Sequence, residues 1–397
     1  MVTSTRHDSA GLDIVHVDLA REPQSVVGRA DRVWLILWWG ERVVGQGEVQ
    51  TRGGEIDIGV AAARLVAGHD LAEAQASARE EVDGHRPPTS TTVVICTRDR
   101  PEALARCLAS LPQQTRPPEH VIVVDNGSMD DRTRQVASAA GVRYLREDRP
   151  GLDIARNTGA LAVTTELAIY TDDDVVLHPR WLERMTAAFD EDVAAVTGLV
   201  LPGELATGAQ LHFERYWGFG KGFARRDFDQ DFFARDKREG APVWEIGAGA
   251  SMGFRTSVFH DIGLFDERLD VGAAGCSGDS EYWHRLLSHG LRCRYDPTII
   301  AFHFHRRDEG ALRKQLHDYM RGHAAALLVQ YERTGNRGNL RRILLTMPRW
   351  FAGRAWRRVR GADEADRYVT DEFRGFLSGI RYYLRHYRRS AYANSPH

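Results

Sequence analysis

The feature that most limits the fold is an alternation of short apolar runs with helical stretches through the middle of the chain. TTVVICT, HVIVVD, VRYLRE and ELAIY begin at residues 91, 120, 142 and 166. The first is followed by a stretch that Pro101 opens and in which Leu104, Leu108 and Leu111 share one helical face. Short apolar strands that alternate with helices predict a parallel sheet covered by helices on both sides.

The residues on either side of this pattern have different compositions. Residues 33–49, VWLILWWGERVVGQGEV, predict two strands joined by a turn, and a helical stretch follows at about 58–82. DGHRPPTSTT, residues 83–92, has the composition of a linker. We therefore predict an α/β protein in three parts: a small N-terminal α+β domain at 1–90, a main domain at 91–308, and a helical, arginine-rich C-terminal extension at 309–397.

Composition excludes several classes of protein. The net charge of −2 over 397 residues gives no support to a nucleic-acid-binding protein. Without CxxC spacing, the four cysteines, Cys96, Cys107, Cys276 and Cys293, favour reduced thiols over disulfides or a zinc site. The first residues lack the apolar core of a signal peptide, and no apolar run approaches the roughly 20 residues of a membrane span. We expect a cytoplasmic protein.

Three consecutive carboxylates, Asp172, Asp173 and Asp174, end the fourth apolar run. At a separation of about 6 Å and an effective dielectric constant near 20, each neighbouring pair costs about 3 kcal/mol. Ligands of open α/β sheets bind at the carboxyl ends of the strands, which is where this triplet lies. If the strand continues through the triplet, Asp172 and Asp174 share a face, which favours a divalent cation between them. The alternative is an exposed acidic turn.

Six segments of the chain then follow in a recognisable order. They are VVICTRDRPEALARCLASL, VIVVDNGSMDD, GLDIARNTGA, YTDDDVVLHPRWLE, GAGASMGFR with GLFDE, and GDSEYWHRLL. In this order and spacing they resemble the GT-A glycosyltransferases of family 2, over about residues 92–305. The resemblance implies a GT-A fold, with a Rossmann-like mixed sheet, and a metal-dependent transfer of a sugar from a nucleoside diphosphate.

The resemblance also assigns residues to the nucleotide. Thr97 and Arg98 would contact the base, and Asp125 would accept a hydrogen bond from its ring N–H. Arg156 would reach the nucleotide or its diphosphate, with Asn157 beside it. The simpler interpretation of Asp125 is a cap on the following turn, and that of Arg156 is a solvated arginine on a helix.

A second set of assigned residues concerns the metal ion. Asp172 would bind the ribose, or the metal through water, Asp173 would belong to the donor site, and Asp174 would ligate Mn²⁺ or Mg²⁺ directly. His303 and His305 lie two residues apart near the end of a strand, and His305 is the preferred further ligand. Imidazole suits Mn²⁺ better than Mg²⁺. The alternative for both histidines is packing at a strand end.

The sugar and the reacting groups are assigned to the later segments. GAGASMG is interpreted as a loop whose Met252 and Gly253 line the donor site, and its spacing does not fit a dinucleotide motif. Asp279 is the predicted general base, with Glu281 as the second candidate. Gly278 departs from the glutamate that commonly precedes the aspartate in this family, and Asp279 alone would also suit a helix N-cap.

Two aromatic or basic regions lie outside these motifs. Trp217, Phe219 and Trp244 are candidate acceptor contacts, with core packing as the alternative. From 341 to the end, thirteen arginines stand against five acidic residues. A basic amphipathic helix there would contact an anionic membrane surface, on the inner face of the plasma membrane, or it would cap the main domain with its arginines solvated.

The sequence therefore predicts a metal-dependent, inverting hexosyltransferase. Its donor would be a nucleoside-diphosphate sugar, with UDP favoured, and its acceptor a hydroxyl of a glycan, glycolipid or metabolite. A nucleotidyltransferase would need a glycine-rich phosphate loop that CTRDRPEAL does not provide. A sugar-nucleotide-binding scaffold without turnover has Gly278 in its favour.

Overall fold

The computed structural model describes residues 11–21, 31–66, 71–72, 75, 89–235, 238–270, 273–361 and 364–386. The strands are β1 Asp13–Asp18, β2 Arg32–Trp39, β3 Arg42–Gln50, β4 Thr91–Thr97, β5 His120–Asp125, β6 Arg143–Arg146, β7 Leu167–Asp172, β8 Val175–Leu177, β9 Val193–Pro202, β10 Arg226–Phe228, β11 Ser251–Arg255 and β12 Arg292–His303. The helices are α1 Ile58–Leu65, α2 Pro101–Leu108, α3 Arg132–Ala139, α4 Leu152–Ala162, α5 Trp181–Ala187, α6 Gly208–Trp217, α7 Gln230–Arg235, α8 Ser257–Asp261, α9 Gly278–Ser288, α10 Glu309–Thr334, α11 Arg337–Arg341, α12 Met347–Val359 and α13 Val369–His386.

A nine-stranded mixed sheet organises the main part of the chain. Its order is β10-β12-β9-β11-β7-β4-β5-β6, and β8 pairs with β12 outside this path. The strands β7, β4, β5 and β6 are parallel, as the alternating pattern predicts. β11 runs antiparallel to both β7 and β9, which makes the whole sheet mixed, as expected for a Rossmann-like mixed sheet.

The central strands are continuous apolar runs because both faces of the main sheet are buried. All seven residues of β4 are buried. On one face Val93 and Ile95 pack with Leu104 of α2, and on the other Val94 packs with Ala155 of α4. This sandwich fixes the strand ends, and therefore the loops that follow them, relative to one another.

The N-terminal residues form a separate three-stranded sheet in the order β1-β2-β3. β2 and β3 are antiparallel, and Gly40 makes the turn between them with a positive φ of 60°. The sheet is attached to the main part by Glu41, whose carboxylate pairs with Arg184 at 2.8 Å and Arg180 at 2.6 Å. The predicted helix is observed only over α1, and most of 66–82 and of the linker lies outside the described residues.

The C-terminal residues are helical, and α10 packs along α13. Asp308 caps the start of α10 through the N–H of Ala311, and Gly335 ends the helix in the left-handed conformation. Phe351 of α12 and Phe376 of α13 are buried against α10. None of the described helices combines the length and apolarity that crossing a bilayer requires.

Candidate active site

Three strand ends bring polar residues to one edge of the sheet. Thr97 ends β4, Asp125 ends β5 and Asp172 ends β7. Thr97 and Asp125 are paired across β4 and β5, and Cys96 is paired with Asp172 across β4 and β7. The adjacency of the parallel strands therefore gathers the loops that follow them into one crevice.

The acidic triplet divides its side chains between two environments. β7 ends at Asp172, and Asp173 and Asp174 form a turn instead of continuing the strand. Asp173 accepts a hydrogen bond of 2.7 Å from Thr97 Oγ1 and is not part of the cluster that the other two form with His303. Ligand atoms of Asp172, Asp174 and His303 all lie within 4.8 Å of one another. Asp172 and Asp174 do converge, but a turn produces this arrangement and not the period of a strand.

Arg100 is the residue that sequence reasoning missed at this site. Its Nη1 lies 2.8 Å from Asp173 Oδ1 and 2.8 Å from Asp174 Oδ2. Arg98, which the resemblance assigns to the base, has a half-exposed side chain and lies 3.6 Å from Asp99. Arg100 precedes the proline that opens α2, so the helix start directs it toward the triplet. Arg100 therefore neutralises Asp173 and Asp174, and contact of Arg98 with the nucleotide base stays a prediction.

Burial and these cations shift the pKa values of the triplet in opposite directions. Burial and the neighbouring Asp174 raise the pKa of Asp173 to about 6. Burial also acts to raise the pKa of Asp174, but His303 and Arg100 hold it below its usual range. Burial raises the pKa of Asp172 as well. Asp174 is therefore the most strongly anionic member of the triplet.

His303, and not His305, completes the acidic cluster. His303 Nε2 lies 3.1 Å from Asp174 Oδ1. His305 turns away: its Nδ1 lies 2.9 Å from His303 Nδ1, and its Nε2 lies 3.0 Å from Glu214 Oε2. The geometry therefore favours His303 over His305, which was the preferred ligand, because the Nε2 atom of His305 contacts Glu214. Two carboxylates and one imidazole fit a divalent cation, and the nitrogen favours Mn²⁺.

Arg156 lies beside this cluster and is almost completely buried, at 6% exposure. Its Nη1 lies 3.0 Å from Asp153 Oδ1 and its Nη2 lies 4.0 Å from Asp172 Oδ1. A Cβ atom at Gly249 would lie 2.7 Å from Arg156 Nη2 and 3.0 Å from Asp279 Oδ2. Glycine at 249 leaves room for both side chains, and Arg156 adjoins Asp172 as well as the loop that holds Asp279.

The structure distinguishes the two candidate bases. Asp279 is half-buried, and its Oδ2 accepts a 2.9 Å hydrogen bond from the Gly249 N–H. Ser277 occupies the cap position of α9, so Asp279 is not the N-cap. Glu281 is fully buried and pairs with Arg285 at 2.8 Å and Arg333 at 3.0 Å. Glu281 is a structural ion-pair residue, and its assignment as a second base is wrong because both its oxygens are bound.

The backbone of Gly278 packs directly against the carboxyl group of Asp153. A Cβ atom at this position would lie 1.8 Å from Asp153 Oδ2. Asp153 is 2% exposed, and burial raises the pKa of its carboxyl to about 8. A carboxyl group from α4 therefore occupies the space that a side chain at 278 would need.

Two residues assigned to the nucleotide are bound within the protein. Asp125 accepts hydrogen bonds from the Ser128 N–H at 2.8 Å and from Tyr144 Oη at 2.7 Å, so it caps the turn, and its contact with a base stays a prediction. The Asn157 amide donates to Phe265 O at 3.0 Å and accepts from Phe265 N at 2.8 Å. Both ends of this amide are engaged within the protein, and the nucleotide role of Asn157 stays a prediction.

Met252 and Gly253 do not line the edge of the sheet. They lie in β11, with Met252 in the core and the Cα of Gly253 facing Ile169, Met185 and Phe189. The stretch was expected to be a loop, but pairing with β7 and β9 makes it a central strand. Within this glycine-rich run, the backbone of Gly249 is the part that lies beside Arg156 and Asp279.

A comparison with known proteins finds a family match over part of the chain. Residues 92–263 match the family model described as glycosyl transferase family 2. The match runs from β4 through α8, so Asp279 and His303 lie beyond the matched range and are placed at the site by the structure.

Individual relatives match only part of this chain. A pre-mycofactocin glycosyltransferase of Mycobacterium tuberculosis is 30% identical over 238 residues, which are 56% of this chain and 45% of the relative. A glucosyl-dolichyl phosphate glucuronosyltransferase of Haloferax volcanii is 25% identical over 185 residues, 44% of this chain and 55% of the relative. This chain thus spans about half the length of these relatives. A mannosyltransferase from Pyrobaculum calidifontis, solved with GDP-Man and Mn²⁺, aligns with a TM-score of 0.46 and 16% identity, over 85% of this chain and 98% of that one.

The three candidate acceptor aromatics have different surroundings. Phe219 packs its edge against His303, with ring centroids 5.1 Å apart. Trp217 packs on Tyr319 at 6.1 Å, and Trp244 on His323 at 5.2 Å, both in α10. Their acceptor roles stay predictions, and Phe219 is the one that adjoins the metal cluster.

The metal cluster predicts a specific loss on substitution. Asp174→Asn keeps the shape of the side chain but removes its charge, so the dissociation constant for Mn²⁺ should rise at least ~10-fold, or about 1.4 kcal/mol. Electron paramagnetic resonance of free Mn²⁺ in a titration of the full chain measures this. Asp192→Asn, in an exposed Asp-Glu-Asp segment, is the matched control and should leave the constant unchanged. Equal constants for Asp174→Asn and the wild type would contradict the site.

Proposed function

We propose that this chain transfers a hexose from a nucleoside-diphosphate sugar, with UDP favoured, to a hydroxyl of a glycan, glycolipid or metabolite, with inversion at the anomeric carbon. The observation that carries the proposal is that the cluster of Asp172, Asp174 and His303 lies close to Asp279, with Arg156 adjoining both. The match of residues 92–263 to a glycosyltransferase family model supports the reaction class.

The positive groups of the site suit a diphosphate. A Mn²⁺ or Mg²⁺ ion held by Asp172, Asp174 and His303 would supply Lewis-acid stabilisation of the charge that develops on the leaving diphosphate. Arg156, next to Asp172, adds a fixed guanidinium at the same edge. Arg100 forms ion pairs with both Asp173 and Asp174, and these would hold the turn in place before the donor binds.

Asp279 is the group that would accept the acceptor's proton. The acceptor oxygen attacks the anomeric carbon from the face opposite the diphosphate, its proton passes to the Asp279 carboxylate, and the electrons of the broken C–O bond leave with the diphosphate. The Gly249 N–H fixes Asp279 Oδ2, while the residue remains half-buried and accessible. A single displacement of this kind converts an α-linked donor into a β-linked product.

The alternative of a scaffold without turnover loses its main support. Gly278 favoured that alternative because an acidic side chain is absent there. The Asp153 carboxyl fills the same space, and any Cβ at 278 would collide with it. Packing against Asp153 thus gives the glycine an explanation other than lost function.

Removal of the base predicts loss of turnover without loss of binding. In Asp279→Asn, kcat should fall by ~10²–10⁴-fold, the usual contribution of a general base, while the donor still raises the melting temperature. The assay is release of UDP with Mn²⁺ across hexose donors and hydroxyl acceptors, with nuclear magnetic resonance to establish the anomer. Ser280→Ala is the neighbouring control. Unchanged kcat in Asp279→Asn, or an α-linked product, would contradict the mechanism.

We also propose that the C-terminal helices rest on an anionic membrane surface. Pro348, Ala352, Trp356 and Val359 are spaced along one face of α12, and all are exposed, with Val359 at 88%. Leu345 precedes them and is 43% exposed. Exposed aromatic and aliphatic side chains on a short helix are typical of interfacial binding, because their burial in the acyl boundary releases water.

The charge around this face fits acidic lipid headgroups. Arg349, Arg357, Arg358 and Arg360 are all exposed on α12 or just after it. Arg360 lies over the ring of Trp356, with 3.7 Å from its Cζ to the ring centroid. A surface of this kind would bring the site to a lipid-linked acceptor, the class that the name of the Haloferax volcanii relative gives for that protein.

Liposome sedimentation tests the membrane surface. Trp356→Ser combined with Val359→Ser should reduce binding to phosphatidylglycerol vesicles by about tenfold, since the two apolar side chains are lost from the exposed face. Leu161→Ser, at an exposed position of α4 distant from the basic region, is the control. Equal sedimentation of the wild type with anionic and neutral vesicles, or no effect of the double substitution, would contradict this proposal.

A further inference from the structure

A line of buried side chains connects the metal cluster to the N-terminal sheet. His303 Nε2 lies 3.1 Å from Asp174 Oδ1, and His303 Nδ1 lies 2.9 Å from His305 Nδ1. His305 Nε2 lies 3.0 Å from Glu214 Oε2 in α6, and Glu214 Oε1 accepts from Gln46 Nε2 in β3 at 3.4 Å. Four separate parts of the chain therefore meet in one hydrogen-bonded row, which we call the histidine relay.

We propose that His305 and Glu214 are positioning residues that fix His303 in the tautomer able to bind the metal ion. This inference rests on the metal site of the proposed function. It assigns a role to a histidine that is not itself a ligand, and it gives the N-terminal sheet a part in building the site.

The hydrogen-bonding capacity of each group sets the direction of the relay. A metal ion on His303 Nε2 requires that nitrogen to be free of a proton, so Nδ1 carries the hydrogen. His303 Nδ1–H can then donate only to His305 Nδ1, and the hydrogen of His305 lies on Nε2. Glu214 Oε2 accepts this hydrogen, whether or not its other oxygen is protonated. One acceptor at 214 thus selects the tautomer of two successive rings.

The three central residues of the relay are buried, so water has little access to their hydrogen-bonding atoms. His303, His305 and Glu214 are 7%, 5% and 7% exposed. Phe219 packs edge-on against His303, and Phe213 packs on His305 with ring centroids 4.6 Å apart. These rings hold the imidazole planes in place, so rotation of His303 would leave a buried nitrogen unbonded.

The relay also fits the general pattern of metal-bound histidines. Such histidines usually donate their second nitrogen to a carboxylate or carbonyl, and loss of that partner typically weakens metal binding by about 10–100-fold. Here a second histidine is inserted between the ligand and the carboxylate. The carboxylate is in turn held by Gln46, which belongs to the N-terminal sheet.

The test uses the full chain and Mn²⁺ alone, with affinity read from electron paramagnetic resonance. His305→Phe fills the same space without hydrogen bonds, and its dissociation constant for Mn²⁺ should rise by about tenfold or more. His305→Gln can accept from His303 with its oxygen and donate to Glu214 with its amide, so it should stay within about threefold of the wild type. His212→Phe, a buried histidine of α6 outside the relay, is the matched control and should not change the constant.

A circular-dichroism melt accompanies each variant. If His305→Phe does not fold, Glu214→Leu replaces it, with the same tenfold expectation, because it removes the terminal acceptor. Mn²⁺ affinity that is equal in the wild type and the disrupted variant overturns the relay. Equal losses in His305→Phe and His305→Gln overturn it too, since the conservative variant then fails to rescue.

Sugar transfer is measured separately on the same proteins. If the wild type transfers sugar while His305→Phe binds Mn²⁺ normally, the relay is wrong and the proposed function stands. If the relay variants behave as expected but the wild type releases no nucleoside diphosphate with any donor and acceptor, the proposed function fails and the relay stands.

Discussion

The mutual repulsion of three adjacent carboxylates is the constraint on which the site depends. Without compensation, each neighbouring pair costs about 3 kcal/mol at an intermediate dielectric constant. The protein separates them: Asp173 turns to Thr97 and Arg100, while Asp172 and Asp174 face His303. What remains is a pair of oxygens and an imidazole nitrogen directed at one point, which is an arrangement that a divalent cation stabilises.

The fold supplies each compensating group from a different element. The parallel neighbours β4 and β7 place Arg100 beside the triplet, and β12 brings His303 alongside β8. α4 supplies Arg156 and Asp153. Asp279 lies in the first turn of α9. Because most of these contacts join different elements, the geometry of the site depends on the sheet as a whole, including the N-terminal sheet through Glu214 and Gln46.

Local patterns in the sequence are sufficient for the parallel half of the sheet and for the position of the acids at its edge. They fail where a contact joins distant residues. The sequence alone does not show whether Arg98 or Arg100 pairs with the acidic triplet. The start of α2 directs Arg100 toward it. Met252 lies in a glycine-rich run that suggests a loop, yet pairing on both sides makes it a strand. His305 and Glu214 are 91 residues apart, and no periodicity connects them.

The central claim is that a cation binds at the end of β7. The most direct measurement is an anomalous difference map from crystals soaked in Mn²⁺ and UDP, collected near the manganese edge. The account predicts one strong peak coordinated by Asp172, Asp174 and His303 Nε2. A map without a peak there, with the two carboxylates turned toward solvent, would contradict it.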